Sequence, residues 1–190
     1  MVVMVVAFSG KFSSDIAFLL IDMQPFLTKY VDDAELGRMV DSQIAVIDFC
    51  ACNDLPLIAV GYGLGSLEKD NPKEYGMMER LRVAVGRVPR HEFMKKYTDC
   101  AFSTKAVDEQ LKAWGVGEIG LMGVYASECV KACALKAVRK GYTIFTAEDL
   151  IADYSIMTVK GKSEEWYSEK GKYFPNHDAL LGYVRTRISK

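Results

Sequence analysis

The chain has 190 residues, which is enough for one domain that buries on the order of 70% of its unfolded surface. Its 24 basic and 25 acidic residues give a formal net charge of -1, so no basic face for nucleic acid and no acidic tail is expected. Five cysteines without regular spacing argue against a disulfide framework and for a reducing compartment. We therefore expect a cytoplasmic protein with a small-molecule substrate and without nucleic-acid or membrane partners.

The first predicted element is an apolar arm. Met1 to Phe8 reads MVVMVVAF, which is far shorter than the roughly 20 residues of a membrane span and lacks the basic start of a signal peptide. Residues 1–12 are predicted to form an arm or an extra strand. At a free sheet edge, the apolar side chains and backbone polar groups of such a segment would be left uncovered. We therefore expect a homo-oligomer.

Two buried strands are predicted in the first third of the chain. Ile16 to Ile21 is a continuous apolar run that ends in Asp22, and Pro56 to Val60 is a second such run. A helix is predicted between them, from Ala34 to Asn53. The loop after the second strand reads GYGLG, which is not the G-x-G-x-x-G of dinucleotide-binding proteins and has no P-loop lysine after it.

The middle of the chain is less regular. Residues 73–87 are predicted to form one helix, residues 88–94 a short strand, and residues 95–102 a polar turn that contains Lys95 and Lys96. Thr104 is a plausible cap for the next helix, which the glycines at positions 115 and 117 end.

A buried strand and a helix then follow directly on each other. Residues 119–124 form an apolar run, and after Ser127 the apolar residues recur at helical spacing until Gly141. Residues 142–146 are the next predicted strand, and residues 178–188 a last helix.

Strands that alternate with helices throughout predict a single-domain, doubly wound, three-layer α/β/α sandwich with a mainly parallel, Rossmann-like sheet over residues 1–190. Ligands of such sheets bind outside the carboxyl ends of the strands. Asp22, the lysine pair at 95 and 96, and Cys129 each follow a predicted strand. We expect these groups to converge on one site.

Cys129 lies in the first turn of its predicted helix. The unpaired N–H groups and the helix dipole at this end favour a thiolate, and the same N–H groups suit the oxyanion that forms when a thiolate attacks a carbonyl carbon. The alternative is that Cys129 is a small apolar residue packed under the sheet, as most free cysteines are.

Three motifs in order resemble the isochorismatase-like superfamily of cysteine hydrolases, which includes nicotinamidases and carbamoyl amidases. They are the strand end LIDMQ at residues 20–24, a lysine shortly before Ala101 and Phe102, and GVYASECV at residues 123–130. The resemblance covers residues 17 to 153.

The resemblance implies a catalytic triad. Cys129 would attack a carbonyl carbon, Asp22 would carry the proton, and a lysine would hold the charges together; the spacing to Phe102 favours Lys96 over Lys95. The superfamily also has a cis peptide bond, which falls here between Val124 and Tyr125. It would direct the Tyr125 N–H toward the oxyanion beside that of Cys129.

Other functional residues are predicted by their placement near these motifs. Candidate substrate contacts are Gln24, Phe26, Tyr62 and Phe102, with Tyr125 beside them. Trp166 and Tyr167 are candidates to close the site from the carboxyl-terminal third.

A metal site is not expected, and we predict no cofactor. The nicotinamidase branch has an Asp-x-His metal motif after its second strand, whereas residues 59–65 read AVGYGLG here and contain no ligand. With only His91 and His177 in the chain, a histidine metal site of that kind cannot be assembled.

The leading functional hypothesis is a metal-independent cysteine hydrolase that cleaves a carbonyl C–N bond of a small amide or ureide through a thioester. One alternative is isochorismatase-type hydrolysis of a vinyl ether, which does not need Cys129. The other is a thiol-bearing redox sensor without turnover, which needs neither Asp22 nor the lysine.

Overall fold

The structure is a computed structural model that describes residues 15–154 and 160–188. The predicted arm at residues 1–12 lies outside these residues. The described sheet contains seven strands in the order β3-β2-β1-β4-β5-β7, with β6 pairing with β4, and every ladder is parallel. The strands are β1 Ile16–Ile21, β2 Leu57–Tyr62, β3 His91–Lys96, β4 Glu118–Val124, β5 Thr143–Ala147, β6 Ile151–Ala152 and β7 Lys172–Phe174.

Helices connect most of the strands. They are α1 Pro25–Thr28, α2 Asp33–Cys52, α3 Ser66–Asp70, α4 Pro72–Tyr75, α5 Glu79–Val85, α6 Lys105–Ala113, α7 Cys129–Arg139, α8 Lys160–Lys170 and α9 His177–Ile188. Two 3-10 turns lie at Ala101–Ser103 and Glu148–Leu150.

The sheet is covered on both faces. Every residue of β1 and β4 is buried, as expected for central strands whose sequence is a continuous apolar run. One core joins apolar side chains of α2, α5 and α9 to one face of the sheet, and a second core joins those of α6 and α7 to the other face. The predicted doubly wound α/β/α architecture is confirmed.

Two local predictions were wrong. Residues 73–87 form no single helix, because the chain is extended at Gly76 (φ -79°, ψ 174°) and passes so close to the Pro72 carbonyl that a Cβ would lie 2.5 Å from its oxygen. Lys95 and Lys96 lie in β3 and not in a turn. Thr104 precedes α6 as predicted, but its hydroxyl donates to the Lys95 carbonyl (3.1 Å) instead of accepting from the helix.

The sheet reverses its winding direction between β1 and β4. From β1 the chain moves outward to β2 and β3, and it then returns to place β4 on the other side of β1. The two strands approach closely at Gly123, where φ is +126° and a Cβ would lie 2.0 Å from the Ile21 carbonyl oxygen. Such a reversal opens a crevice at the carboxyl edge, which is where α/β sheets of this kind bind ligands.

Candidate active site

Asp22 stands at the carboxyl end of β1, in this crevice. Its N–H donates to the Val60 carbonyl (2.8 Å), which is the last bond of the ladder with β2, and the chain then turns through a left-handed conformation with φ +58°. Aspartate tolerates this region better than most residues with a side chain, and such strain is typical of functional positions. The side chain is 1% exposed, so a carboxylate here needs a charged partner.

Lys96 is that partner. Successive side chains of a strand point to opposite faces, so the two adjacent lysines of β3 diverge. Lys95 is exposed and pairs with Glu68, whereas Lys96 is fully buried, with its Nζ 2.7 Å from Asp22 Oδ2. Lys96 Nζ also donates to the Asp99 carbonyl (2.8 Å) and lies 4.1 Å from the ring centre of Tyr62.

Cys129 begins α7 and faces the same space. It is 6% exposed, and its Sγ lies 3.8 Å from the Tyr62 hydroxyl. The thiol also lies within hydrogen-bonding reach of Asp22, whose carboxylate is paired with Lys96. The structure thus brings Asp22, Lys96 and Cys129 together, although they are separated by up to 107 positions in the sequence.

The sequence predicted a thiolate at Cys129, whereas the surroundings of this residue favour the protonated thiol. Burial and then the Asp22 charge raise the pKa of Cys129 to about 11, and these effects outweigh the Lys96 ammonium. Burial raises the pKa of Asp22 to about 6, although Lys96 and the thiol lower it in part. Burial lowers the pKa of Lys96, but the charge of Asp22 and its hydrogen bond raise it by more, so the pKa lies above the usual value of a lysine. At neutral pH the site holds a thiol, a carboxylate and an ammonium.

The loop that joins β4 to α7 contains two N–H groups that have no acceptor in the described part of the chain. The bond between Val124 and Tyr125 is cis. Ala126 donates to the Ala152 carbonyl (2.9 Å), Ser127 to the Asp153 carboxylate (3.1 Å), and Glu128 and Val130 both donate to the Tyr125 carbonyl (3.1 Å).

Within residues 15–154 and 160–188, no acceptor is assigned to the N–H of Tyr125 or to that of Cys129. These are the two groups expected to bind an oxyanion.

A cavity of about 260 Å³ opens onto the thiol. Phe26, Tyr62 and Tyr125, which were predicted to contact the substrate, line it together with Asp22 and Cys129. The other lining residues are Leu27, Leu64, Asp99, Glu128 and Tyr154.

The remaining predicted contacts lie outside this lining. Gln24 is buried behind it, where its amide donates to the Tyr62 carbonyl (3.2 Å) and accepts from the Tyr62 N–H (2.7 Å), so it positions Tyr62. Phe102 is buried against Tyr142, with ring centres 6.0 Å apart.

The two aromatic residues from the carboxyl-terminal third also contribute from outside. Tyr167 is buried and donates to the Ala126 carbonyl (2.8 Å), which supports the loop before the thiol. The Trp166 ring lies 5.0 Å from Lys131 Nζ and against Tyr167. Neither residue is part of the cavity wall.

Sequence reasoning missed three polar residues of the cavity. Asp99 accepts from the Tyr62 hydroxyl (2.7 Å), and Glu128 accepts from the Tyr154 hydroxyl (3.0 Å). Asp99 follows Lys96 by three positions and Glu128 precedes Cys129, so proximity to the motifs was a usable signal for both. Tyr154 stacks on Tyr125 with ring centres 3.8 Å apart, and no motif near it pointed to this contact.

A second thiol, that of Cys100, lies beside the site. A hydrogen bond from Cys133 lowers the pKa of Cys100 below the usual range of a thiol. Cys100 is half-buried and Cys133 is fully buried; the Ala101 N–H donates to Cys133 Sγ (3.1 Å). Neither thiol lines the cavity, so a low pKa by itself does not identify the nucleophile.

The histidines lie away from the cavity. His91 Nδ1 donates to the Val88 carbonyl (2.6 Å), and His177 Nδ1 contacts the Asp149 carboxylate (2.6 Å). The described residues contain no group of three histidine, cysteine, aspartate or glutamate side chains that suits a metal ion. The residues present after β2 therefore do not fit the metal of the nicotinamidase branch; Tyr62 and Asp99 line this corner instead.

The protein is a doubly wound α/β protein with an acid, a lysine and a thiol at the switch point of its sheet. The model of the isochorismatase domain matches residues 16–161. The chain belongs to this family of hydrolases.

Individual relatives are distant. Streptothricin hydrolase of Streptomyces noursei is 30% identical over 95 residues, which are 50% of this chain and 37% of that protein, so the match spans well under half of the relative's length. Nicotinamidase 3 of Arabidopsis thaliana is 24% identical over 73% of this chain and 74% of its own length. An octameric hydrolase of unknown specificity, the YcaC gene product of Escherichia coli, superposes with a TM-score of 0.70 over 88% of this chain and 78% of its own, at 19% identity.

In the described part of the chain, no helix combines the length and the apolar character that crossing a membrane requires.

Proposed function

We propose that the protein is a cysteine hydrolase that cleaves a carbonyl C–N bond of a small amide or ureide through a thioester on Cys129. The observation that carries the proposal is the meeting of a buried thiol, a carboxylate and an ammonium beside two N–H groups without an assigned acceptor among the described residues. The cavity of about 260 Å³ lies below the roughly 300–1,000 Å³ of ordinary ligand pockets, so the substrate is small.

In the acylation step, the thiol sulfur of Cys129 bonds to the substrate carbonyl carbon while its proton passes to Asp22. The thiol needs this base because its own pKa of about 11 leaves it protonated at neutral pH. The negative charge moves to the carbonyl oxygen, where the N–H groups of Tyr125 and Cys129 can bind it. Lys96 keeps Asp22 ionised until the proton arrives.

Collapse of the tetrahedral intermediate breaks the C–N bond. Protonated Asp22 gives its proton to the departing nitrogen, which leaves as ammonia or an amine. Water then attacks the thioester carbon, Asp22 takes a proton from it, and the C–S bond breaks. The proton on Asp22 returns to the sulfur, which restores the thiol and releases the acid.

The family supports this assignment without fixing the substrate. The name nicotinamidase denotes an enzyme that cleaves an amide, and the Arabidopsis protein of that name matches nearly three quarters of this chain. The vinyl ether alternative makes no use of Cys129. The N–H groups of Tyr125 and Cys129, which have no acceptor among the described residues, would have no role in it.

The test is a panel of amides and ureides scored for released ammonia, followed by intact-protein mass spectrometry during turnover of the slowest substrate or its hydroxamate. We expect an acyl adduct on the tryptic peptide that contains Cys129. Cys129→Ala should abolish turnover, and Asp22→Asn should slow it at least about a hundredfold. Cys52→Ser, which changes an exposed thiol remote from the cavity, serves as the matched control.

Two outcomes would redirect the assignment. Full activity of Cys129→Ala on isochorismate-type vinyl ethers would favour the vinyl ether reaction. A redox role would be favoured if no carbonyl compound or vinyl ether is turned over while peroxide oxidises Cys129 stoichiometrically.

We also propose that the protein assembles as a homo-oligomer. Two aromatic side chains are exposed at β3, the edge strand of the described sheet. They are Phe93, which is 48% exposed, and Tyr97, which directly follows the strand and is 75% exposed. They line a groove of about 1080 Å³ that contains none of the catalytic groups, and a second copy of the chain is the partner that we propose for it. Multi-angle light scattering at micromolar concentration should give a multiple of 21.2 kDa. A monomer would contradict this, and Tyr97→Lys should shift an oligomer toward smaller species.

A further inference from the structure

The cavity over Cys129 has an unusual charge balance. Three carboxylates line it, from Asp22, Asp99 and Glu128, and among the described residues no lysine, arginine or histidine does. Lys96 is fully buried behind the cavity wall, and its ammonium pairs with Asp22 at 2.7 Å. In the described part of the chain, one ammonium therefore pairs with one of the three carboxylates.

The other two carboxylates have neutral partners. Asp99 accepts from the Tyr62 hydroxyl (2.7 Å), and Glu128 from the Tyr154 hydroxyl (3.0 Å). No ion pair joins either of them to a residue of the described chain. Both side chains are exposed and line the rim of the cavity, where they face a molecule that enters.

The walls between these carboxylates are aromatic. Tyr125 and Tyr154 stack with an interplanar angle of 16°, and Phe26 and Tyr62 line the cavity with them. Aromatic faces attract cations through the ring quadrupole, and the Tyr62 ring already holds one, since Lys96 Nζ lies 4.1 Å from its centre. Carboxylates combined with aromatic faces form the environment that binds ammonium groups and repels anions.

The buried end of the cavity supplies the complementary feature. Asp22 is 1% exposed and lines the cavity, and its carboxylate is already paired with the Lys96 ammonium. The neutral scissile amide of the substrate lies at this buried end, and the negative potential of the rim acts on the opposite end of the substrate.

Resting on the proposed function, we infer that the site selects substrates with a positively charged group at the end distant from the scissile carbonyl, and that Asp99 and Glu128 select that group. Substrates with a carboxylate at the same end are rejected.

The test uses thiol reagents, so it does not depend on turnover. The cation 2-(trimethylammonio)ethyl methanethiosulfonate, the anion 2-sulfonatoethyl methanethiosulfonate and neutral methyl methanethiosulfonate each convert a thiol to a mixed disulfide and release methanesulfinate. Acid quenching, trypsin digestion and mass spectrometry then give the labelling rate at each cysteine. Cys129 lies in the tryptic peptide of residues 113–131, and exposed Cys52 is the internal reference.

We expect the ratio of cation rate to anion rate at Cys129 to exceed that at Cys52 by at least about tenfold at low salt, and to decline as salt screens the rim charges. Asp99→Asn and Glu128→Gln should each lower the ratio severalfold. Both variants remove a charge but keep an oxygen that accepts from the tyrosine. Glu109→Gln removes an exposed charge on α6, away from the cavity, and should leave the ratio unchanged.

Equal ratios at Cys129 and Cys52, or a ratio at Cys129 that both rim variants leave unchanged, would overturn the inference. So would a Cys129 that none of the three reagents labels, because the cavity would then admit no ligand of this size. A second arm compares 4-(aminomethyl)benzamide with 4-(carboxymethyl)benzamide, and the cation should have the higher kcat/KM. Absence of turnover with every amide, alongside the expected labelling ratios, would refute the proposed hydrolysis and leave the charge selection intact.

Discussion

The pH dependence of turnover tests the division of labour between Asp22 and Lys96. Asp22 must be ionised to accept the thiol proton, and its pKa is raised to about 6, so kcat/KM should rise with pH to a plateau with its midpoint there. At pH 5 the rate should be about one tenth of the plateau, and at pH 7 about nine tenths. The plateau should extend toward pH 11, where the Cys129 thiol titrates.

Lys96→Met is the informative perturbation. The Lys96 ammonium lies 2.7 Å from Asp22 Oδ2 and holds the carboxyl pKa below the value that burial alone would give. An opposite charge at this range lowers a carboxyl pKa by about 1–3, so its loss should move the midpoint to about 7 or above. Turnover at pH 7 should then be about half of the variant's own plateau or less.

Lys95→Met is the matched control, because Lys95 is the adjacent residue of β3 but points to the exposed face and pairs with Glu68. Its profile should keep the wild-type midpoint. The assay is kcat/KM for the best amide of the panel from pH 4.5 to 10 in constant-ionic-strength buffers. General structural damage by Lys96→Met would scale the whole curve without moving the midpoint. An unmoved midpoint, or a wild-type midpoint near the 8.5 of a free thiol, would refute the assignment of Asp22 as the base.

Three further outcomes follow from the geometry. Gly123→Ala should lower the free energy of unfolding in urea melts by more than about 2 kcal/mol, since its Cβ would lie 2.0 Å from the Ile21 carbonyl oxygen. Gly37→Ala, at an exposed helical site with nothing within 4 Å, is the control and should raise the free energy of unfolding by about 0.5–1 kcal/mol. Equal effects of the two substitutions would show that β1 and β4 do not approach closely at Gly123. Asp153→Ala should lower kcat by about ten- to a hundredfold, because the Asp153 carboxylate accepts from the Ser127 N–H at 3.1 Å and from the Ser127 hydroxyl at 2.8 Å. Asp153→Asn should recover much of the loss. A change in KM alone would exclude a role of Asp153 in positioning the loop between β4 and α7. Incubation with EDTA followed by gel filtration should leave kcat/KM unchanged, and a loss that zinc or iron restores would contradict the metal-independent reaction.

The sequence by itself determined the architecture, because hydrophobic periodicity is local. The apolar run of β1 and the helical spacing after Ser127 specify a buried strand and an amphipathic helix irrespective of the partners that they meet. A parallel sheet also places the carboxyl ends of its strands at one edge, which is why Asp22 and Cys129 were expected to meet. Within one strand, the period of two explains why only one of two neighbouring lysines can be buried; the spacing favoured Lys96, and Lys96 is the buried one.

Only the tertiary structure decided the electrostatics and the walls of the cavity. A helix amino terminus and a nearby lysine predicted a thiolate, but the pKa of Cys129 depends on its burial and on the charge of Asp22, and both arise from packing between distant segments. Gln24 lies beside a motif and yet points behind the cavity, whereas Tyr154 lies beside none and stacks on Tyr125. Solvation and Coulomb interactions depend on distances in space, which a pattern along the chain does not contain.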